Sequence, residues 1–226
     1  MRYTIHPKEA DGPVTGLVTC REFEQRLLRF DGASAEHRDD DRDEVLYVLE
    51  GSGAATVGGE AHALEPGTGL FVARRTPWTI DAASGLLLLS VLVEEPLAAA
   101  SSHAVLATGD RDAATAGREF SLLARPEIGC ASVTQFVGYI PAGRAPDHFH
   151  LYDEVVYVLA GEGAFHVGDD SAELRPGTAV HLPARLVHCL ENYGPGEMRV
   201  LGVFRPAGSP AEAYYPDGSP AAVPAA

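Results

Sequence analysis

The sequence predicts an all-β chain made of two tandem antiparallel barrels, and three observations carry that reading. The chain repeats itself: a shift of 110 positions lays Asp43-Glu44-Val45-Leu46-Tyr47-Val48-Leu49 on Asp153-Glu154-Val155-Val156-Tyr157-Val158-Leu159. The same gapless register lays Leu64, Pro66, Gly67 and Thr68 on Leu174, Pro176, Gly177 and Thr178, with 17 identities over the 51 positions from 30 to 80. Second, each copy consists of short apolar, β-branched and aromatic runs bounded by Gly, Pro and Asp. Third, helical periodicity is poor almost everywhere, and many short strands at regular spacing fit a closed barrel or sandwich.

Taken in order, residues 1–97 read as the first barrel. Arg21–Arg29 has a weak amphipathic pattern, but its repeat mate Ala131–Tyr139 reads as strand. Val45–Leu49 and Leu86–Val93 are strands, with hairpin turns at Gly51-Ser52-Gly53 and Gly58-Gly59, where glycine tolerates the positive φ such turns need. Residues 98–117 read as the connection. Residues 118–206 form the second barrel, with strands at Val155–Leu159 and Val200–Phe204 and turns at Gly161-Glu162-Gly163 and Gly168-Asp169-Asp170. Residues 207–226 are Pro/Ala-rich and cannot build a core alone. They are an arm packed on a barrel or a disordered tail.

Composition narrows the function. Of 226 residues, 46% are apolar and 22% charged, a globular balance that excludes wholesale disorder. The longest apolar run, Leu86–Val93, is too short to span a bilayer, and the N-terminus lacks the pattern of an export signal, which predicts a cytoplasmic protein. The net charge is −15 and Lys8 is the lone lysine, so no concentrated basic face is available for nucleic acid or an acidic membrane surface. Cys20, Cys130 and Cys189 lie far apart, which predicts neither disulfides nor a zinc ribbon. Cys20 and Cys130 are expected as small buried residues, and Cys189 on the face opposite its neighbour His188.

The second copy carries a metal-site spacing: Gly143-x4-His148-Phe149-His150-x3-Glu154-x6-Gly161, then Gly177-x5-Pro183-x4-His188-x3-Asn192. On a strand His148 and His150 share a face, and a reversal at Leu151-Tyr152-Asp153 brings Glu154 onto a neighbouring strand about 5 Å away. His188 arrives from a later strand. Three imidazoles and a carboxylate suit one divalent transition metal (Fe, Mn, Ni, Cu or Zn) rather than Mg²⁺ or Ca²⁺.

These two motifs resemble those of the cupin superfamily, and the duplication resembles a bicupin, which implies barrels of the double-stranded β-helix or jelly-roll type. His148, His150, Glu154 and Gly161 match the first family motif, with one residue fewer after Gly143. Gly177, Pro183, His188 and Asn192 match the second, with Arg185 where the family has a glycine. In the first copy the 110 shift puts Arg38, Asp40 and Trp78 at the histidine positions, with Glu44 retained. His37 lies one position away, which on a strand turns it to the other face. The acidic run from Glu36 to Glu44 reads as a solvated loop with Arg–Asp pairing, and Trp78 as a filled pocket. One metal per chain is expected.

Three classes of function follow. The first, implied by similar metal cupins, is a dioxygenase-like oxidoreductase acting on a small enolic, phenolic or carboxylate-bearing molecule. The second is non-oxidative isomerase, hydrolase or lyase chemistry at the same ion. The third is a non-catalytic small-molecule binding module. Glu154 is either a fixed ligand or a ligand that swings off as general base. His166 and His181 orient substrate or are structural histidines, and Tyr139 and Phe136 belong to the pocket wall or core. Loose chain ends that could cross to a second copy predict a homodimer.

Overall fold

The structure is a computed structural model that describes residues 1–5, 12–94 and 101–221. Among these, no segment forms an α-helix; two 3₁₀ turns, Thr115–Gly117 and Pro126–Ile128, interrupt strands. In chain order the strands are β1 (Thr4–Ile5), β2 (Val14–Thr19), β3 (Phe23–Phe30), β4 (Arg42–Val57), β5 (Glu60–Leu64), β6 (Gly69–Val72), β7 (Trp78–Glu94) and β8 (His103–Leu106). There follow β9 (Asp112–Ala113), β10 (Glu119–Leu122), β11 (Thr134–Ile140), β12 (Gly143–Arg144), β13 (Asp153–Ala160), β14 (Gly163–Val167), β15 (Asp170–Leu174), β16 (Ala179–Leu182), β17 (Cys189–Asn192) and β18 (Met198–Arg205). The all-β prediction holds, and the ambiguous Arg21–Arg29 segment is strand β3.

The chain forms two compact units. In the N-terminal unit the sheet order is β2-β3-β7-β4-β6-β8, with β5 paired to β4, all antiparallel. The C-terminal unit has one sheet of order β1-β16-β13-β18-β11-β10-β9 and another of order β12-β17-β14-β15. Strand β1 pairs with β16, and Leu123–Val133 is counted with the N-terminal unit; the repeat register signals neither. Part of the predicted 98–117 connection is strand (β8, β9), and residues 95–100 lie outside the described residues.

Alternation builds each core. In the C-terminal unit Val156, Val158, Phe165, Leu174, Val180, Leu182, Leu190, Met198 and Val200 interlock, each removed from water for about 1.5–3 kcal/mol. In the N-terminal unit Leu28, Leu46, Val48, Val57, Leu70, Trp78, Ile80 and Leu88 do the same. A second aromatic cluster in the C-terminal unit, Phe120, Phe136, Tyr152 and Phe204, floors the site described below. Gly163 lets β14 pass β17, because a Cβ there would sit 1.9 Å from the Glu191 carbonyl oxygen.

The copies diverge where their sequences do. β7 runs unbroken through seventeen residues, whereas its counterpart splits into β17 and β18 at a loop clamped by Asn192. The Asn192 amide donates to the carbonyls of Ile140 (2.9 Å) and Gly196 (2.8 Å), and its oxygen accepts from the Gly194 amide (2.8 Å). The repeat mate is Ala82, which offers none of this.

Candidate metal centre

His148 and His150 precede the turn that leads into β13, and His188 precedes β17. The backbone amides of His148 and His188 each donate to the other's carbonyl at 2.9 Å, so one antiparallel bridge sets the two rings side by side. Their ring centroids are 4.7 Å apart, with His150 at 5.0 Å from His148 and 5.4 Å from His188. One ring nitrogen of each lies within 4.8 Å of the others.

Each imidazole has its Nδ1 on a backbone carbonyl: His148 on Pro146 (2.9 Å), His150 on Glu212 (2.8 Å), His188 on Leu186 (2.8 Å). A carbonyl only accepts, so Nδ1 carries the proton and the Nε2 lone pair is left for the cavity. Burial lowers the pKa of all three, His150 to about 3, with the neighbouring imidazoles adding to the effect at His150 and His188. Neutral rings in a fixed tautomer, converging without a protein donor between them, are what a transition ion requires, and the donor set fits one.

Glu154 is buried in the wall of the same cavity, although its oxygens fall outside the set of atoms mutually within 4.8 Å. Burial pushes its pKa up to about 8, opposed by the charge of Arg118. Space for its carboxylate comes from Gly202 on β18, where a Cβ would lie 2.8 Å from Glu154 Oε1 and 2.3 Å from the Phe136 ring. The cavity encloses about 630 Å³ including its mouth and is walled by Phe136, Tyr139, Tyr152, Leu182 and Val200. His150 stacks on Tyr152 at 4.7 Å, which stacks on Phe204 at 3.9 Å.

Phe136 and Tyr139, expected in the pocket wall or core, are among the residues that line the cavity. His166 and His181 do not line the cavity, and no substrate role follows for them. His166 Nε2 meets Glu191 at 2.8 Å, and His181 Nε2 lies 3.5 Å from Asp153. The reason is alternation: Phe165 and Leu182 point into the barrel, so their chain neighbours point out. Cys189 is buried, off the cavity and beside Arg144 Nε at 3.2 Å; Cys130 is buried and Cys20 only partly so.

Sequence reasoning missed Arg118 and the tail. Arg118 reaches the cavity wall, donates to the Leu190 carbonyl at 3.1 Å, and among the described residues has no carboxylate in an ion pair; burial lowers its pKa to about 10. Residues 209–221 pack on the C-terminal unit: Phe149 and Tyr214 exchange backbone hydrogen bonds at 2.8 and 3.0 Å with stacked rings, and Pro210 and Ala213 line the cavity. Over residues 209–221 the tail is thus an arm, and residues 222–226 lie outside the described residues. Pro and Ala composition carried no hint that the Glu212 carbonyl holds the His150 ring.

The N-terminal unit repeats the bridge with different side chains. His37 and Trp78 exchange amide hydrogen bonds at 2.8 and 2.9 Å, and the Arg75 amide reaches the Asp39 carbonyl as that of Arg185 reaches His150. His37 and Asp39, not Arg38 and Asp40, therefore occupy the positions of His148 and His150. Six residues separate His37 from Glu44 but five separate His148 from Glu154, and the extra residue restores the face that the gapless shift took away. No metal cluster results there among the described residues: His37 stacks on Trp78 at 4.4 Å, Asp39 turns to Arg42, and Glu44 accepts from Arg26 (3.0 Å) and Ser90.

Comparison with known proteins agrees with this architecture. An uncharacterized protein of Streptomyces coelicolor is 35% identical over 57 residues, 25% of this chain, and the chain spans about half (53%) of that relative. An IolB-like protein of Salmonella typhimurium superposes with a TM-score of 0.77 at 12% identity, covering 96% of this chain and 97% of the other. Oxalate decarboxylase of Bacillus subtilis superposes at 0.64 and 14% identity, covering 83% and 69%. At such identities these structures speak for the fold. The model of the Cupin domain family matches twice, over residues 28–92 and 135–204, and the chain belongs to that family.

Proposed function

We propose that the C-terminal barrel is a transition-metal enzyme site for a small anionic molecule that carries a carboxylate, enolate or phenolate. The observation behind this is the sharing of one apolar-walled cavity by three neutral imidazoles and an arginine that forms no carboxylate ion pair among the described residues. A transition ion held by His148, His150 and His188, with Glu154 as a further donor, supplies Lewis acidity and, if redox-active, electron transfer to dioxygen. Arg118 binds the anionic end of the molecule, gaining the counter-ion that its burial calls for. Phe136, Leu182 and Val200 exclude water, and Glu154 holds or releases a proton at Oε inside the cavity.

Dioxygenase-like oxidation is the first reading, since three imidazoles leave an ion open positions for both substrate and dioxygen. A non-oxidative reading also has support, because a buried carboxyl shares the cavity with the three imidazoles, where it can serve as an acid–base group. Oxygen uptake and product analysis with metal-loaded protein, offered catechols, enediols, 2-oxo acids and dicarboxylates including oxalate, test both readings. Turnover lost in His188→Ala, with KM for anionic substrates raised in Arg118→Gln, is expected. Turnover that persists without oxygen selects the second reading. Turnover unchanged in His188→Ala overturns both.

A further inference from the structure

We infer that the N-terminal unit carries a second, surface metal site formed by Glu60, His62 and His103, for a zinc-class divalent ion. Glu60 and His62 lie on the β5 face that carries core Leu64, and His103 lies opposite core Val72, at an edge that solvent reaches through exposed Glu60. The Gly58-Gly59 turn starts β5 at Glu60, and residues two apart on a strand share a face, so Glu60 and His62 project together. His103 opens β8, which pairs with β6 through His103 and Val72. One donor atom from each of the three lies within 4.8 Å of the others.

Three details go beyond proximity. The rings of His62 and His103 stand 5.0 Å apart and tilted at 53°, so they are not stacked face to face. His103 Nε2 lies 3.6 Å from Glu60 Oε2, close to the ~3.4 Å separation of two ligands at about 2.0–2.1 Å from a tetrahedral ion. His62 Nε2 is shielded from solvent and has no hydrogen-bond partner among the described residues, an orphan that a coordinate bond would satisfy. Two imidazoles and one carboxylate select a borderline transition ion over Mg²⁺ or Ca²⁺ and leave a fourth position for water. In the second copy these positions hold Asp170, Ala172 and Ala213, so the site is not a relic of the duplication. Occupied, it ties the edge strand β8 to the β4–β5 hairpin.

The residues are independent of the barrel site, so the test is run with that site removed. The full chain carrying His148→Ala and His188→Ala is titrated with zinc chloride and with cobalt chloride. About one equivalent bound, a melting temperature that rises with zinc, and the visible bands of four-coordinate cobalt are expected. All three are lost when exposed Glu60→Gln and half-buried His103→Gln are added. Failure to bind, or binding that is unchanged by Glu60→Gln and His103→Gln, overturns the site and leaves a histidine–glutamate surface pair. Because Glu60 is largely solvent-exposed, Glu60→Gln alone distinguishes loss of a ligand from loss of the fold.

Discussion

His148 and His188 lie directly opposite each other across a single antiparallel bridge, each amide donating to the other's carbonyl at 2.9 Å. The candidate metal centre is therefore fixed by backbone pairing before any side chain acts. The three Nδ1–carbonyl bonds then fix ring rotation and tautomer, and burial keeps the rings neutral. His37 and Trp78 show the same bridge with stacked rings, so the frame is shared by both copies and, among the described residues, only the C-terminal one sets three histidines around it.

The C-terminal arm orients His150 through the Glu212 carbonyl and walls the cavity with Pro210 and Ala213. Truncation after Gly208 is expected to leave the barrel folded and to weaken metal binding by about 10–100-fold, as loss of a partner behind a metal ligand does. Competition titration against a chromophoric chelator measures this.

Gly202 is expected to tolerate no side chain. Alanine there would press on the Phe136 ring at 2.3 Å and on Glu154 at 2.8 Å, and neither is a loose surface group. Gly202→Ala should cost about 1–3 kcal/mol in denaturant unfolding and reduce metal affinity as well.

Asn192 closes its loop with three hydrogen bonds. Removing it takes three hydrogen bonds from backbone groups of the loop and of β11, so Asn192→Ala should destabilise the C-terminal unit by about 2 kcal/mol. Ala82 in the N-terminal unit provides the control, since Ala82→Asn should confer no such gain.

Arg185 and Arg75 sit at φ 65° and 67°, the left-handed region that strains a residue with a Cβ. The second-motif position where the family has glycine needs that conformation here too. Arg185 is exposed, and Arg185→Gly should raise stability by about 0.5–1 kcal/mol, a gain partly offset by glycine's greater freedom in the unfolded chain. Thermal melting checks it.

Much of this was legible in the sequence because its causes are local. The repeat, the period-two runs, the turn between His150 and Glu154, and the special backbone at Arg185 all follow from short segments. The outward direction of His166 and His181 was also written there, in the apolar flanks Phe165 and Leu182, yet histidine in a strand of the right barrel outweighed that signal. Arg118 and Glu212 were not legible: one sits 30 residues before His148 and the other 24 after His188, and only the closed barrel brings them to the cavity. The true partner of His148 in the first copy was hidden for the opposite reason. A gapless register is persuasive over strands, but one extra residue in an exposed acidic loop costs the fold nothing and shifts His37 into place.

The most direct test is elemental analysis of the full chain carrying Glu60→Gln and His103→Gln, beside the same protein with His148→Ala and His188→Ala added. About one equivalent of a transition metal in the first and none in the second is the predicted result. Equal metal in both, or none in either after reconstitution, would contradict the account of the C-terminal barrel as a metal centre.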